Sequence, residues 1–466
     1  MRSATDVEAP GYLDYAAAVD ALRAQYAAIP DGAPVRLAKR TSNLFRQRVD
    51  TGVPGLDVSA FSGVLDVDPV ARTADVLAMT TYEDLVAATL PHGLVPLCVP
   101  QLRTITLGGA VTGMGIESAS WRNGSPHESV LDLDVLTGDG RVVTATATNE
   151  HADLFRGFPN SYGSLGYALR LRIELEPVTP YVALRHESCG DARGLAAAIR
   201  AATATGVRDG ARVDYLDGTV FSGSESYLTV GTYVESAPHA PSDYTGNAIY
   251  YRSVQERTAD VLTTHDYLWR WDTDWFWCSR AFGAQNPVVR RLWPKSRLRS
   301  DVYWKLVALD RRTQLSARAG AARRLPPREQ VVQDIEVPVD ALPDFLDFFH
   351  REVGISPVWV CPLRQRDPDA HWPLYPLDPG TTYVNVGFWS TVAVPHGVDP
   401  GEGRVNRRIE DVVRDLGGHK SLYSTAYYGR DEFARLYGGE TYERLRAAYD
   451  PEGRLADMWS KTVGRA

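Results

Sequence analysis

The chain has 466 residues, 44% of them apolar and 23% charged, a globular composition long enough for two cores. A net charge of −8 argues against a nucleic-acid binder, which needs an excess of cationic side chains to displace counterions, although local basic clusters such as Arg290, Arg291, Lys295, Arg297 and Arg299 occur.

In chain order, residues 12–28 read as an amphipathic helix. Residues 63–79 alternate in two runs joined at Asp68-Pro69, the pattern of a hairpin. A helix follows, with Thr80 and Glu83 as a capping box and Tyr82, Leu85, Val86, Thr89 and Leu90 on one face; His92-Gly93 ends it. Residues 128–147 form a second expected hairpin, turning at Gly138-Asp139. From Tyr167 to Leu175 the odd positions are apolar and Arg170, Arg172 and Glu174 face the other way, until Pro177 and Pro180 close the strand. Beyond residue 180 the segment 265–304 is rich in aromatics. Strands are predicted over 331–337, 357–363 and 382–389. Helices are marked by Leu342, Phe345, Leu346 and Phe349, and by Val405, Ile409, Val412, Val413 and Leu416. The expected fold class is α+β, its second half an antiparallel sheet covered by helices.

Four glycines, Gly108, Gly109, Gly113 and Gly115, fall within Thr104–Ser120. Lacking Cβ atoms, they let a backbone approach a ligand closely, and their N–H groups suit an anion. Thr104, Thr106, Thr112, Ser118 and Ser120 add hydroxyls, and no Lys or Arg lies between Arg103 and Arg122. A pyrophosphate here would be held mainly by backbone and hydroxyls. Glycine-rich turns between buried strands explain the same spacing equally well. A Rossmann fingerprint fits poorly: Ser118 replaces its third glycine, and Trp121–Pro126 reads as a loop where a helix should follow.

Further residues carry a resemblance. They are Pro100-Gln101, Thr104–Gly109, Gly113–Ser118, Asp153–Phe155 and Ser161–Gly166, then Val331–Asp334, Pro357–Leu363, Tyr427–Phe433 and Tyr442–Leu445. In this order the sequence resembles the vanillyl-alcohol oxidase / p-cresol methylhydroxylase flavoprotein superfamily, and within it the delta-24 sterol reductases and actinobacterial reductases of methylene-branched fatty acyl chains. The resemblance implies an FAD-binding domain of two α+β subdomains over residues 1–180. It also implies a substrate domain over 181–466, whose C-terminal tail returns to the first. It places Ser42, Asn43, Gln101, Thr104, Thr106, Gly108, Gly109, Gly113, Gly115, Ile116, Glu117, Ser118, Gly163, Leu165 and Gly166 at the cofactor. For Ser42 and Asn43 a plain turn cap is the alternative. No His lies between 93 and 126, and Cys98 is ten residues before Gly108, so FAD is expected to be non-covalent.

The implied reaction reduces an unactivated C=C bond in a lipid, a methylene-branched acyl chain or a sterol side chain, with NADPH as electron source. Oxidation of an alcohol or sugar, and lipid binding without catalysis, are the alternatives. Alkene reduction needs an acid near the double bond. Asp334, Glu336, Tyr383, His419, Tyr423 and Tyr427 are candidates, each also explained as an ordinary strand or core residue. Arg364 and Lys420 are candidate counter-charges for reduced flavin. Glu117 either meets the ribityl chain or anchors its loop. Trp269, Trp271, Trp275, Phe276 and Trp277 wall a lipid tunnel, dip into a membrane interface, or pack the core. The scattered cysteines Cys98, Cys189, Cys278 and Cys361 form no CxxC, so no metal site is expected and a reducing compartment is. No leader or apolar span is evident, giving a cytoplasmic expectation with peripheral membrane contact at the inner face as a further expectation.

Overall fold

The computed structural model describes residues 10–39, 45–46, 54–313 and 315–463. It is α+β, with two large antiparallel sheets and two two-stranded ribbons among the described residues. The first sheet runs Val64–Asp68, Thr73–Leu77, Tyr167–Pro177, Val130–Leu136, Val142–Thr146, and Leu94–Pro96 pairs with the far end of Tyr167–Pro177. Both predicted hairpins are therefore present.

Two local readings change. The helix Tyr82–Thr89 is capped by Thr81, whose hydroxyl accepts from the Asp84 N–H, not by Thr80. Thr80 is buried, and its hydroxyl bonds the Gly63 and Leu77 carbonyls instead. Trp121–Pro126 is no plain loop either: Ser120–Asn123 is a short helix, followed by a 3-10 turn at Pro126–Ser129.

Arg170, on the polar face of its strand, is fully buried. Its guanidinium meets Asp134 at 2.8 Å and also Asp75 and Asp132, carboxylates from the two neighbouring strands. Helix Pro10–Ala27 contributes the Tyr15 hydroxyl, 2.8 Å from Asp134. A buried cation needs such company, because its desolvation is repaid only by close carboxylates.

The second sheet has eight strands in the order Ala259–Thr263, Tyr181–Ser188, Glu225–Val234, Tyr215–Ser222, Val358–Leu363, Tyr383–Ala393, Arg328–Pro338, His419–Lys420. Arg328–Pro338, Val358–Leu363 and Tyr383–Ala393 match the three expected strands within a few residues at their ends, and His419–Lys420 adds a short edge strand. The four strands between 181 and 263 carried no strand prediction. One face is covered by helices Ala192–Thr205, Leu342–Phe348 and Arg404–Asp415, which bury Leu195, Ile199, Phe345, Leu346, Ile409 and Val413. The C-terminal residues pack back on the first sheet's region: Arg454 donates to the Tyr26 hydroxyl at 2.7 Å, and Gly138 N–H to the Tyr449 carbonyl. No helix among the described residues is long and apolar enough to cross a membrane.

Candidate functional site

A cavity of about 570 Å³ is lined by residues of both sheets' regions. That is the size of a cofactor or ligand cleft. Of the residues singled out above, Gln101, Thr104, Thr106, Gly108, Gly109, Gly113, Gly115, Ile116, Gly163, Gly166 and Asp334 all line it. Ser42 and Asn43 lie outside the described residues.

Half of the glycine segment is helical, not a loop: Leu107–Gly113 forms two turns, capped by Thr106, whose Oγ1 accepts from Gly109 N–H. The helix is laid against the first sheet because Gly108 has no Cβ; one there would stand 2.8 Å from that of Ala78. A Cβ on Gly115 would come within 3.0 Å of Pro126 and 3.2 Å of Pro100, and one on Gly113 within 3.3 Å of the Tyr162 ring. Met114, between them, takes a left-handed φ of 58°. Such a φ costs a residue with a Cβ roughly 1–2 kcal/mol.

Cations missed by the sequence reading flank this segment. Lys39 Nζ donates to Thr106 Oγ1 at 3.0 Å, and Lys461 Nζ to the Gly163 carbonyl at 2.7 Å. Arg46 lies over the Tyr162 ring, 4.7 Å from its centroid, and bonds the Leu422 carbonyl. Lys461 and Gly163 are 298 residues apart, so no local pattern announces the pair. The backbone and hydroxyl groups of the segment thus have cations beside them. Gln101 also lines the cavity, and its Nε2 is a buried donor without a partner among the described residues. A dinucleotide fits this surroundings: glycine backbone for close approach, cations for phosphate, and an unfilled amide donor.

The other side of the cavity is aromatic and carries a carboxyl group. Phe276 stacks on Trp389 with centroids 4.3 Å apart and touches Trp359 at 5.3 Å; Trp275 stacks on Phe45 at 5.5 Å. Trp275 and Phe276 both hold left-handed φ values, 44° and 59°, strain that the surrounding packing must enforce. Asp334 faces this box from strand Arg328–Pro338. Burial pushes its carboxyl up to about 7, while hydrogen bonds to Tyr423 and Asn385 pull the other way. Tyr423 is itself fixed by the Trp389 indole N–H at 2.9 Å. Room for the carboxyl exists because the residue opposite is Gly387: a Cβ there would sit 2.3 Å from Asp334 Oδ1 and 2.7 Å from the Trp389 ring. Nothing in the local sequence singles out Gly387.

Glu336, two residues along the same strand, is buried behind the lining. Its carboxylate accepts from Tyr375 and, at 3.1 Å, from Ser421, and burial raises it to about 8.

The remaining candidates lie away from the lining. Lys420 is fully buried, its amine 2.7 Å from Glu410, so that carboxylate, not the cavity, receives its charge. Arg364 donates to the Thr203 carbonyl and the Thr382 hydroxyl. His419 packs on Tyr375, and burial lowers it to about 4, leaving the ring neutral at physiological pH. Tyr427 stands against Gly403, and its N–H meets Glu410. The Tyr383 hydroxyl accepts from Asp378 N–H. Leu165 is a core residue. Ser118 donates to Glu117, and Glu117 anchors its loop: Arg270, also 2.8 Å from Asp217, stands 3.5 Å from it. Of the aromatic run, Trp269, Trp271 and Trp277 are core, and only Trp275 and Phe276 reach the cavity. All five are buried, so none dips into a membrane. The four cysteines are unpaired.

Residues 13–146 match the family model described as an FAD binding domain. The chain is 26% identical over 441 residues to the Delta(24)-sterol reductase of Arabidopsis thaliana, covering 87% of this chain and 76% of that protein. The human Delta(24)-sterol reductase is also 26% identical, over 87% of this chain and 75% of its own length. Cytokinin dehydrogenase 5 of Arabidopsis thaliana matches at 34%, over 24% of this chain and 20% of that protein. The glycine-lined cavity and these matches agree: the chain carries an FAD-binding domain over residues 13–146 and resembles Delta(24)-sterol reductases along most of its length.

Proposed function

We propose that this protein reduces an unactivated C=C bond in a lipid, drawing electrons from NADPH through non-covalent FAD. The observation that carries the reading is Asp334, the single carboxyl group among the described lining residues, held near neutrality inside an aromatic box beside the glycine-lined cleft. Lys39, Lys461 and the Gly108–Gly115 backbone are the residues to hold the pyrophosphate, with Gln101 as a further donor. When bound, reduced FAD supplies a hydride to one alkene carbon. Asp334 delivers the proton to the other carbon. Trp275, Phe276, Trp359 and Trp389 keep water out and face the cation-like carbon with aromatic rings. A methylene-branched fatty acyl chain and a sterol side chain both present such an alkene in an aliphatic chain, as the names of the relatives suggest for the sterol.

The test is anaerobic. NADPH should bleach the yellow protein, and a methylene-branched acyl lipid or a Δ24 sterol should restore the colour while becoming saturated. Bleaching by a small alcohol, with peroxide release in air, would replace this reading with the oxidase one, for which the partial cytokinin dehydrogenase match is the supporting observation.

A further inference from the structure

Between residues 275 and 328 the chain carries thirteen Lys and Arg against two Asp, a local charge of +11 in a protein of net −8. The same segment holds six of the nine large apolar side chains exposed on the described surface. Helix Pro287–Leu292 presents Val288, Val289 and Leu292 to solvent, the last 79% exposed, beside exposed Arg291, Lys295 and Arg297. In helix Ser300–Thr313 the exposed positions are Lys305, Ala308, Leu309 and Arg312, the i, i+3, i+4, i+7 stripe of one face. The inner side of that helix supplies Trp304, which touches Trp275 of the cavity wall at 6.2 Å and Phe45 at 5.2 Å. One helix thus separates the substrate box from a cationic, apolar-studded surface.

Scattered apolar residues on a surface need no explanation, but their concentration with like charge does. Asp274 and Glu83, from outside the segment, neutralise Arg290 and Arg299, but the segment's own two Asp leave the remaining cations in large excess, and these like charges repel one another in the free protein. A negatively charged bilayer answers both features, attracting the cations and accepting the leucine and valine side chains among its acyl chains.

We infer that the surface formed by the exposed residues of helices Pro287–Leu292 and Ser300–Thr313 and the turn between them docks on anionic lipid bilayers and sets the aromatic side of the cavity against the membrane that holds its substrate. The docking itself is independent of the reaction; the delivery role rests on the lipid reading above. The test uses the full chain loaded with FAD and vesicles of phosphatidylcholine, with or without a third of phosphatidylglycerol. Co-sedimentation should occur with the anionic vesicles, weaken as salt rises, and fall about tenfold or more in an Arg291→Glu, Arg297→Glu variant. A Val288→Ser, Leu292→Ser variant should also bind more weakly, and both should retain the flavin spectrum and melting temperature of the parent. Equal or absent binding to the two vesicle types overturns the inference, as does undiminished binding by both variants. A changed sedimentation coefficient in the serine variant, with lipid binding intact, would assign the patch to a second copy of the chain instead. Flavin reduction by NADPH and its reoxidation by a detergent-dispersed alkene are measured separately, so failure to dock is distinguishable from failure of the reductase reading.

Discussion

Substitution of Asp334 by Asn separates proton delivery from every other property of the site. The carboxyl sits at about 7 because it is buried, and its partners Tyr423 and Asn385 do not offset that burial. With that value roughly nine-tenths of the molecules are protonated at pH 6 and about one-hundredth at pH 9. Reoxidation of the reduced enzyme by a Δ24 sterol or methylene-branched acyl lipid should therefore fall about ninetyfold between those pH values. Asparagine has nearly the same shape but no transferable proton, so the variant should be slower by about 10²- to 10⁴-fold at pH 6 and lose this slope. Bleaching by NADPH, which needs no alkene proton, should be unchanged. Stopped-flow absorbance of the two half-reactions reads each step. The folded state holds this proton more tightly than the unfolded chain does. The contribution of Asp334 to stability is thus full at low pH and fades as pH rises through about 7, a fade the variant should lack. A variant whose reoxidation matches the parent at pH 6 would show that Asp334 is not the acid.

Three further outcomes follow from the packing. Gly109→Val and Gly115→Val should each abolish flavin retention, since a side chain at 109 meets Thr106 Oγ1 at 2.8 Å beside Lys39 and one at 115 meets Pro100 and Pro126; normal flavin absorbance in both purified variants would contradict the assignment. Gly387→Ala should keep its flavin but slow alkene reduction, because the new methyl takes the space of the Asp334 carboxyl, and overpacking should cost about 1–3 kcal/mol in denaturant titration. Arg270→Met strands Glu117 and Asp217 in the core and should cost about 3–5 kcal/mol at pH 8. Glu117 already stands at about 7, raised mainly by burial, and losing the cation raises it further. The folded variant then binds protons that the unfolded chain releases, so its deficit should shrink toward pH 5.

The hairpins, the strand from Tyr167 and the helices near 345 and 409 were legible in the sequence because each repeats with the period of its own element. Strands 181–263 were not marked in that reading. Tyr181–Ser188 alternates between half-buried and buried positions, with Arg185 and His186 interrupting the apolar pattern. His186 is buried, its ring 2.9 Å from the Thr229 hydroxyl on the neighbouring strand, a partner that only sheet pairing supplies.

By itself the sequence determined the α+β class and the glycine segment, which backbone geometry alone makes visible, and it placed Asp334 among the candidate acids. Tertiary structure decided which candidates share a cavity. It turned Lys420 toward Glu410, brought Lys39 and Lys461 to the glycines, and opened room for Asp334 at Gly387. Those relations join residues from ten to about three hundred positions apart, and burial and charge pairing act through space, so no spacing along the chain encodes them.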